Sequence, residues 1–312
     1  MKPRGTFNAP RTGGPSWSRF RIVVDWESLD ALREKADESH QKGTQWVLYL
    51  AAAGDYSPLH DHLRATRARL EQTGLLPHVR AVCYSEEWYE RAYAGQMAVF
   101  AGLITGTDPP IDAHLGVVAD AICSFVGAQH ALIKRIFPEL LTAWLTTLAN
   151  PNRAYGAFYY RPVPAFTDVL ALDAYVPKGQ TFATAVDPAY YAAIRTTALP
   201  IVSIPQGFRS TDPADMWSAG PTVGDVHHYE RWLQHPRVVA QWWFDWQSRP
   251  GIDGLDALPE IRTAIDVVAS PRLFTRAQGL DAVVGAGAAP VTLATALSLA
   301  GVPASRTPGI RR

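Results

Sequence analysis

FRIVVDWESLDALREKADESHQKGTQWVLYLAA, residues 20–52, contains two apolar runs separated by one amphipathic segment. The runs FRIVV and WVLYLAA are rich in β-branched and aromatic residues, which is typical of strands. Between them Leu29, Leu32 and Ala36 recur at helical spacing, and Gly43 marks the end of that helix. A strand, a helix and a second strand of these lengths predict one βαβ unit with parallel strands.

The same alternation continues along the chain. It predicts further strands at residues 79–84, 139–149, 167–177, 199–208 and 238–247, and helices at residues 60–74, 86–103, 116–137, 187–198, 224–235 and 258–269. Six or seven such units predict an α/β fold, a (β/α)₈ barrel of the TIM type with the helices outside. Only the fragment GTFN could supply a strand before FRIVV, so we expect the barrel to be irregular or incomplete at its N-terminal strands.

We expect three regions, an irregular lead-in at 1–19, the barrel at 20–275 and an Ala/Gly/Pro-rich extension at 276–312. The uncharged segment 282–302 is long enough to span a membrane. Pro290, three glycines and several Ser and Thr residues favour a packed or partly mobile C-terminal extension instead. The first residues contain no apolar core, so no signal peptide is expected and the cytoplasm is the default compartment.

The composition narrows the class of partner. Lys plus Arg and Asp plus Glu are both 29, so the net charge is zero and a nucleic-acid partner is not expected. Cys83 and Cys123 lie in apolar stretches and are predicted to be buried thiols without a disulfide. The 10 tryptophans and 12 tyrosines must mostly be core residues. Some could line a carbohydrate cleft, because an aromatic face packs against the apolar face of a sugar ring.

Polar and aromatic residues follow several of the predicted strands, at the barrel end where active sites lie. In AVCYSEEWYE, residues 81–90, an apolar run leads into Glu86 and Glu87, with Tyr84 and Trp88 beside them. The other strand ends supply Asp25, Asp55, Asp173, Tyr175, Gln206, Trp243, Asp245 and Trp246. We therefore expect these residues to gather at one mouth.

Two interpretations of the acidic residues stay open. A like-charged neighbour and aromatic desolvation would raise the pKa of one carboxyl in the pair Glu86 and Glu87, as a general acid requires. Acidic residues are also favoured at a helix N-terminus, where a helix is predicted to begin. Asp173 shares a strand face with Tyr175 and either lines the mouth or caps a loop. The face containing Gln241, Trp243 and Asp245 is likewise expected to point into the mouth.

This pattern of strand ends resembles the glycoside hydrolase superfamily of (β/α)₈ barrels, over roughly residues 20–270, without matching one family. The resemblance implies an acid/base glutamate after the fourth strand, the place that Glu86 or Glu87 would take. The large clan with a nucleophilic glutamate after the seventh strand is matched badly, because Gln206 stands there.

The resemblance implies one of two mechanisms, neither with a cofactor or a metal. In the first, Glu87 is the general acid and Asp173 or Asp245 the general base, with carboxyl groups about 6.5–9.5 Å apart for inversion or ~5 Å apart for retention. The second is similar to that of barrel hexosaminidases, in which the substrate's N-acetyl group attacks. Glu86 would then orient that group, Glu87 would protonate the leaving oxygen, and Tyr175 would bond the acetamide oxygen.

Two alternatives come from other classes. A non-catalytic barrel that binds glycan or a partner protein is compatible with Gln206. A metal-dependent amidohydrolase would use His60 and His62, or His227 and His228, but residues two apart on a helix point in different directions. The histidines are therefore predicted to be surface or capping residues.

Overall fold

The computed structural model describes residues 2, 4–7, 18–25, 27–50, 59–84, 112–147 and 167–269. Within them, eight parallel strands form a closed barrel in the order β1-β2-β3-β4-β5-β6-β7-β9, which confirms the predicted (β/α)₈ fold. The barrel strands are β1 Arg4–Thr6, β2 Ser18–Val24, β3 Gln45–Tyr49, β4 Val79–Tyr84, β5 Leu141–Thr147, β6 Val169–Asp173, β7 Ile201–Ile204 and β9 Val238–Trp243.

Helices follow most of the strands and cover the outside of the barrel. They are α1 Leu29–Lys42, α2 Leu59–Gln72, α3 Asp112–Ile136, α4 Phe182–Ala185, α5 Asp187–Thr196, α6 Val223–Gln234 and α7 Pro259–Ala269. Two short strands, β8 Arg209–Ser210 and β10 Ile252–Asp253, pair antiparallel outside the barrel. No helix in the described ranges is both long and apolar enough to cross a membrane. The predicted helix 86–103 and the segment 276–312 lie outside these ranges.

Strand β1 closes the barrel from within the segment that was expected to be an irregular lead-in. It pairs with β2 on one side and with β9 on the other, with a register shift between Arg4 and Gly5. A Cβ atom on Gly5 would lie 2.6 Å from the carbonyl oxygen of Phe20, so the two strands approach too closely for any side chain. The strand overlaps the fragment GTFN, the candidate for an earlier strand, but three residues are too few to show apolar alternation.

Local capping fixes where the helices begin. Ser28 accepts a hydrogen bond from the backbone N–H of Ala31 at 3.2 Å, at the start of α1. At the start of α6, Thr222 and Asp225 form a capping box, in which each side chain accepts a hydrogen bond from the other residue's backbone N–H. The helices therefore start at fixed points beyond the carboxyl ends of the strands.

The buried apolar residues form two clusters. The inner cluster fills the barrel and comes from the strands and Phe7, with Val47, Ala81, Ala171 and Val202 as examples. The outer cluster joins strands to helices and contains larger rings. Cys83 belongs to the inner cluster and is buried, as predicted. The side chain of Cys123 lies outside the described part of the structure.

Candidate active site

Strand β6 brings an acid and a ring to the mouth of the barrel. Val169 and Ala171 belong to the inner cluster, so alternation along the strand places Asp173 on the same inner face. Asp173 is only 3% exposed. Tyr175 lies two residues further on, with its ring edge-on to the ring of Phe208 at 5.3 Å between centroids. The predicted common face of Asp173 and Tyr175 therefore points towards the mouth.

Gln206 follows β7, the seventh strand of the barrel, and is 1% exposed. Its Oε1 accepts a hydrogen bond from the backbone N–H of Val176 at 3.2 Å, and its Nε2 donates to the carbonyl of Phe208 at 3.1 Å. The amide thus ties the loop after β6 to the loop after β7. It offers no carboxylate nucleophile at this position.

A second buried acid follows β9. Asp245 is 1% exposed, and its carboxylate lies 3.9 Å from Nε of Arg249, whose side chain is 54% exposed. The carbonyl of Asp245 accepts a hydrogen bond from the N–H of Leu255 at 3.0 Å, and its peptide bond to Phe244 is cis. Because it follows β9, Asp245 lies at the same end of the barrel as Asp173, which ends β6.

Six rings from different strand ends and one loop form a continuous line at this end, which we term the aromatic row. Neighbouring rings meet edge to face, with centroids 5.2–6.3 Å apart. In order along the line, the rings are Tyr49, Phe7, Phe244, Phe208, Tyr175 and Trp217. Edge-to-face contacts hold each ring in one orientation. Tyr49, Phe244 and Trp217 are partly exposed and the other three rings are buried, so the row offers preformed apolar surface at these three rings, beside the two buried acids.

Five of the six rings in the row, all except Tyr175, were not predicted from the sequence as site residues, although Tyr49 and Phe208 lie in predicted strands. Phe7 lies in the fragment GTFN, and Phe244 immediately precedes Asp245. Trp217 lies in the polar loop between β7 and α6. A single large aromatic residue in such a loop was the one feature that could have indicated a binding role.

Three rings predicted to bind substrate lie elsewhere. Tyr84, Trp243 and Trp246 belong to the outer cluster, between the strands and the helices. Burial raises the pKa of Tyr84 well above its usual range. Trp243 donates to Gln241 at 3.0 Å and packs edge-on against Tyr229 of α6. Gln241 and Trp243 do share a face, but that face points towards the helices, so the expectation that it lines the mouth is wrong for both.

Asp25 also points towards a helix. Its Oδ2 lies 2.8 Å from Nε2 of His62 in α2, and its carbonyl accepts a hydrogen bond from Arg69 at 3.1 Å. Asp25 therefore anchors α2 to the end of β2. His60 lies 3.1 Å from Asp61.

The described residues contain no group of three His, Cys, Asp or Glu side chains that could hold a metal ion. Glu86, Glu87, Trp88 and Asp55 lie outside the described residues. Strand β4, which precedes the glutamate pair, is the fourth strand of the barrel.

No family model matches the sequence, and no curated protein matches it. The fold is that of the (β/α)₈ barrels found in several glycosidases. A GH42 β-galactosidase from G. stearothermophilus aligns with a TM-score of 0.55 at 11% identity, over 86% of this chain and 56% of that one. A β-glucuronidase from Bacteroides uniformis aligns with a TM-score of 0.53 at 11% identity, over 81% of this chain and 32% of that one.

A polyextremophilic β-galactosidase from the Antarctic haloarchaeon Halorubrum lacusprofundi aligns with a TM-score of 0.52 at 12% identity, over 86% of this chain and 57% of that one. The chain thus spans between 32% and 57% of the length of these three proteins. At such low identity the likeness establishes the fold.

Proposed function

We propose that the chain is a glycoside hydrolase-like enzyme that cleaves a glycosidic bond by carboxylate general acid/base catalysis. The observation that carries this proposal is the burial of Asp173 and Asp245 at the carboxyl ends of β6 and β9, next to the aromatic row. Burying a charge is costly, and such groups concentrate at functional sites. The three solved structures named as β-galactosidases or a β-glucuronidase share the barrel fold and agree with this class of activity.

The catalytic roles follow from which carboxylates the chain provides. Glu87 protonates the leaving glycosidic oxygen, while Asp173 or Asp245 removes a proton from the attacking water. The water forms the new bond to the anomeric carbon as the bond to the leaving oxygen breaks. Gln206 argues against a glutamate nucleophile after β7, so this route has a single displacement and inverts the anomeric configuration.

A substrate-assisted route applies if the sugar carries an N-acetyl group. The acetamide oxygen then attacks the anomeric carbon as the bond to the leaving oxygen breaks, while Glu86 orients the acetamide and Glu87 protonates that oxygen. Water then adds to the anomeric carbon, the bond to the acetamide oxygen breaks, and the acetamide is restored. Tyr175 could bond the acetamide oxygen, and this role is supported by its ring being held edge-on by Phe208 and by Trp217.

The test is a panel of 4-nitrophenyl glycosides, including 2-acetamido sugars, assayed with wild type, Glu87→Gln and Glu260→Gln. Glu260 is the matched control, an exposed acid in the first turn of α7. We expect Glu87→Gln to lower turnover by about 100-fold or more and Glu260→Gln to leave it unchanged. Turnover that survives Glu87→Gln intact removes Glu87 as the acid. NMR of the first-formed anomer distinguishes inversion from retention.

A second candidate is a barrel that binds glycan without cleaving it. The observation in its favour is Gln206, whose amide is committed to Val176 and Phe208 where a nucleophile would stand. Glycan binding without turnover, unchanged by Glu86→Gln and by Glu87→Gln, would establish this function instead.

A further inference from the structure

A groove of about 520 Å³ opens beside the aromatic row. The residues that matter for its chemistry are Lys178, Arg209, Ser210, Thr211, Ser218 and Asp253. Its volume lies within the range of roughly 300–1,000 Å³ that is usual for small-molecule sites.

The groove is continuous with the aromatic row through the chain itself. Arg209 directly follows Phe208, and Ser218 directly follows Trp217. The rings of Phe208 and Trp217 are 6.4 Å apart, and both contact Tyr175. The same two loop segments therefore carry both the end of the aromatic row and part of the groove lining.

The chemistry of the groove suits the hydroxyl groups of a sugar. Arg209 donates from Nη2 to Oδ2 of Asp253 at 2.7 Å, and the two side chains are 43% and 28% exposed. Such a pair presents N–H donors and carboxylate acceptors side by side, as two neighbouring sugar hydroxyls require. Lys178 is exposed and donates one N–H to the carbonyl of Pro213 at 2.7 Å. Because an ammonium group has three N–H donors, it can also donate to a sugar hydroxyl.

The groove is also held in one shape. The N–H of Lys178 donates to the carbonyl of Met216 at 2.6 Å, and the N–H of Ser210 donates to the carbonyl of Trp217 at 3.1 Å. Gly220 has φ of +65°, and a Cβ there would lie 2.9 Å from Cβ of Arg209. A preformed site lowers the ordering cost of binding.

We infer that this groove is a separate subsite that binds a sugar residue beyond the one at the mouth. The ligand of this protein is accordingly an oligosaccharide or polysaccharide chain rather than a single sugar on a non-sugar group. This inference rests on the proposed carbohydrate function and names its substrate class.

Isothermal titration calorimetry with defined saccharides of one to six residues tests the subsite. The probes are the cello-, laminari-, xylo-, manno-, agaro- and β-1,4-galacto-series, titrated into the full chain carrying Glu87→Gln so that no cleavage intervenes. Arg209→Ala, Asp253→Ala and Lys178→Ala are each added to this background. Arg33→Ala is the matched control, because Arg33 forms another exposed ion pair, with Asp30, also at 2.7 Å.

We expect one series to show an affinity that rises about tenfold once the chain is long enough to reach the groove. Each groove variant should remove most of that gain and leave the monosaccharide affinity unchanged, while Arg33→Ala changes neither. Lys178 is exposed and lies outside β8, so Lys178→Ala carries the test if Arg209→Ala does not fold.

Equal affinity for short and long saccharides, or a gain that survives all three groove variants, overturns the subsite and leaves the proposed function standing. Equal losses for short and long saccharides in the variants also overturn it, because the groove would then not be separate from the mouth. No binding of any saccharide, including the monosaccharides, overturns the proposed function and the subsite together.

Discussion

Buried charged residues lie at both ends of the barrel, and we expect those of the two ends to serve different tasks. At the amino-terminal end, Arg4 donates to both carboxylate oxygens of Glu230, at 2.6 and 2.7 Å, and both residues are buried. At the carboxyl-terminal end, the carboxylate of Asp245 is equally buried, but Arg249 lies 3.9 Å away and is mostly exposed. In barrels of this type the first end serves stability and the second serves chemistry. The comparison teaches that burial does not by itself indicate the task of an acid, and that the end of the barrel where the acid lies is the better guide.

The largest expected effect is at the amino-terminal end. Glu230→Ala leaves the buried guanidinium of Arg4 without its carboxylate, which should lower the free energy of unfolding by about 3–5 kcal/mol. Urea unfolding followed by tryptophan fluorescence measures this loss. Glycan affinity of the remaining folded protein should not change. A loss below about 1 kcal/mol would show that the pair is not a stability element, and the comparison would break at that end.

The acids at the carboxyl-terminal end should respond in the opposite way. Of Asp173→Asn and Asp245→Asn, the one that replaces the general base should lower kcat by about 100-fold or more, with the unfolding midpoint unchanged or raised. An amide keeps the shape and removes a buried charge. The control is Asp168→Asn, because Asp168 accepts from the N–H of Thr142 at 2.9 Å near the amino-terminal end. That variant should lose stability and keep kcat, and a pattern reversed between Asp168 and the two mouth acids would contradict the proposal.

Most of the barrel could be predicted because each barrel strand after β1 lies in a mainly apolar run of the sequence. The run TDVLALDAYVP, for example, contains β6, Val169–Asp173. Strand β1 could not be predicted in the same way. The position of β1 depends on the close approach of Gly5 to Phe20. This contact exists only in the closed barrel and cannot be read from the three residues of the strand.

The site was only partly predictable, for a related reason. Asp173 and Tyr175 could be identified because polar alternation at a strand end is visible in the sequence. Tyr84 and Trp243 could not be assigned to a face, because strands buried on both sides carry apolar residues throughout. The contact of Trp217 with Tyr175 depends on how a loop folds back, and no periodicity encodes that.

The next largest effect is expected on the free energy of unfolding, when the contact between β1 and β2 that closes the barrel is disturbed. Gly5→Ala places a Cβ 2.6 Å from the carbonyl oxygen of Phe20 and should lower the free energy of unfolding by about 1–3 kcal/mol. The control is Gly224→Ala in α6, where the nearest atom to the new Cβ is Oγ1 of Thr222 at 3.4 Å. Alanine is a better helix former than glycine, so Gly224→Ala should be neutral or slightly stabilising. Equal losses in both variants in urea unfolding would show that close approach is not what Gly5 provides.

A smaller effect, on glycan affinity, is expected when a ring of the aromatic row is removed. Trp217→Ala removes the ring at the end of the row and should weaken glycan binding by about 5–10-fold, a size expected for the loss of one stacking surface. Stability should change little, because Trp217 is only partly buried. Met216→Ala is the control, since Met216 is adjacent in the chain and 43% exposed. Calorimetric titration with the same saccharides measures both, and equal affinity in the two variants would remove Trp217 from the binding surface.

The smallest effect concerns protons at the amino-terminal end. Burial lowers the pKa of His78, His130 and His235, which lie next to the starts of β4, β5 and β9. As the pH falls, the unfolded chain therefore binds protons at these sites before the folded protein does. Their contribution to stability is complete above about pH 6.5 and is lost as the pH decreases below it.

His130→Gln should flatten this decline by up to about 1.4 kcal/mol per pH unit, the limit for one proton. His130 lies 3.0 Å from Oγ1 of Thr142, a contact that glutamine can reproduce, so stability above pH 7 should be nearly unchanged. Urea midpoints measured from pH 5 to 8 test this. The control is His60→Gln, at a partly exposed histidine near the carboxyl-terminal end. The prediction is contradicted if His60→Gln flattens the loss of stability at low pH and His130→Gln does not. The pH dependence would then arise at the carboxyl-terminal end of the barrel rather than at the amino-terminal end.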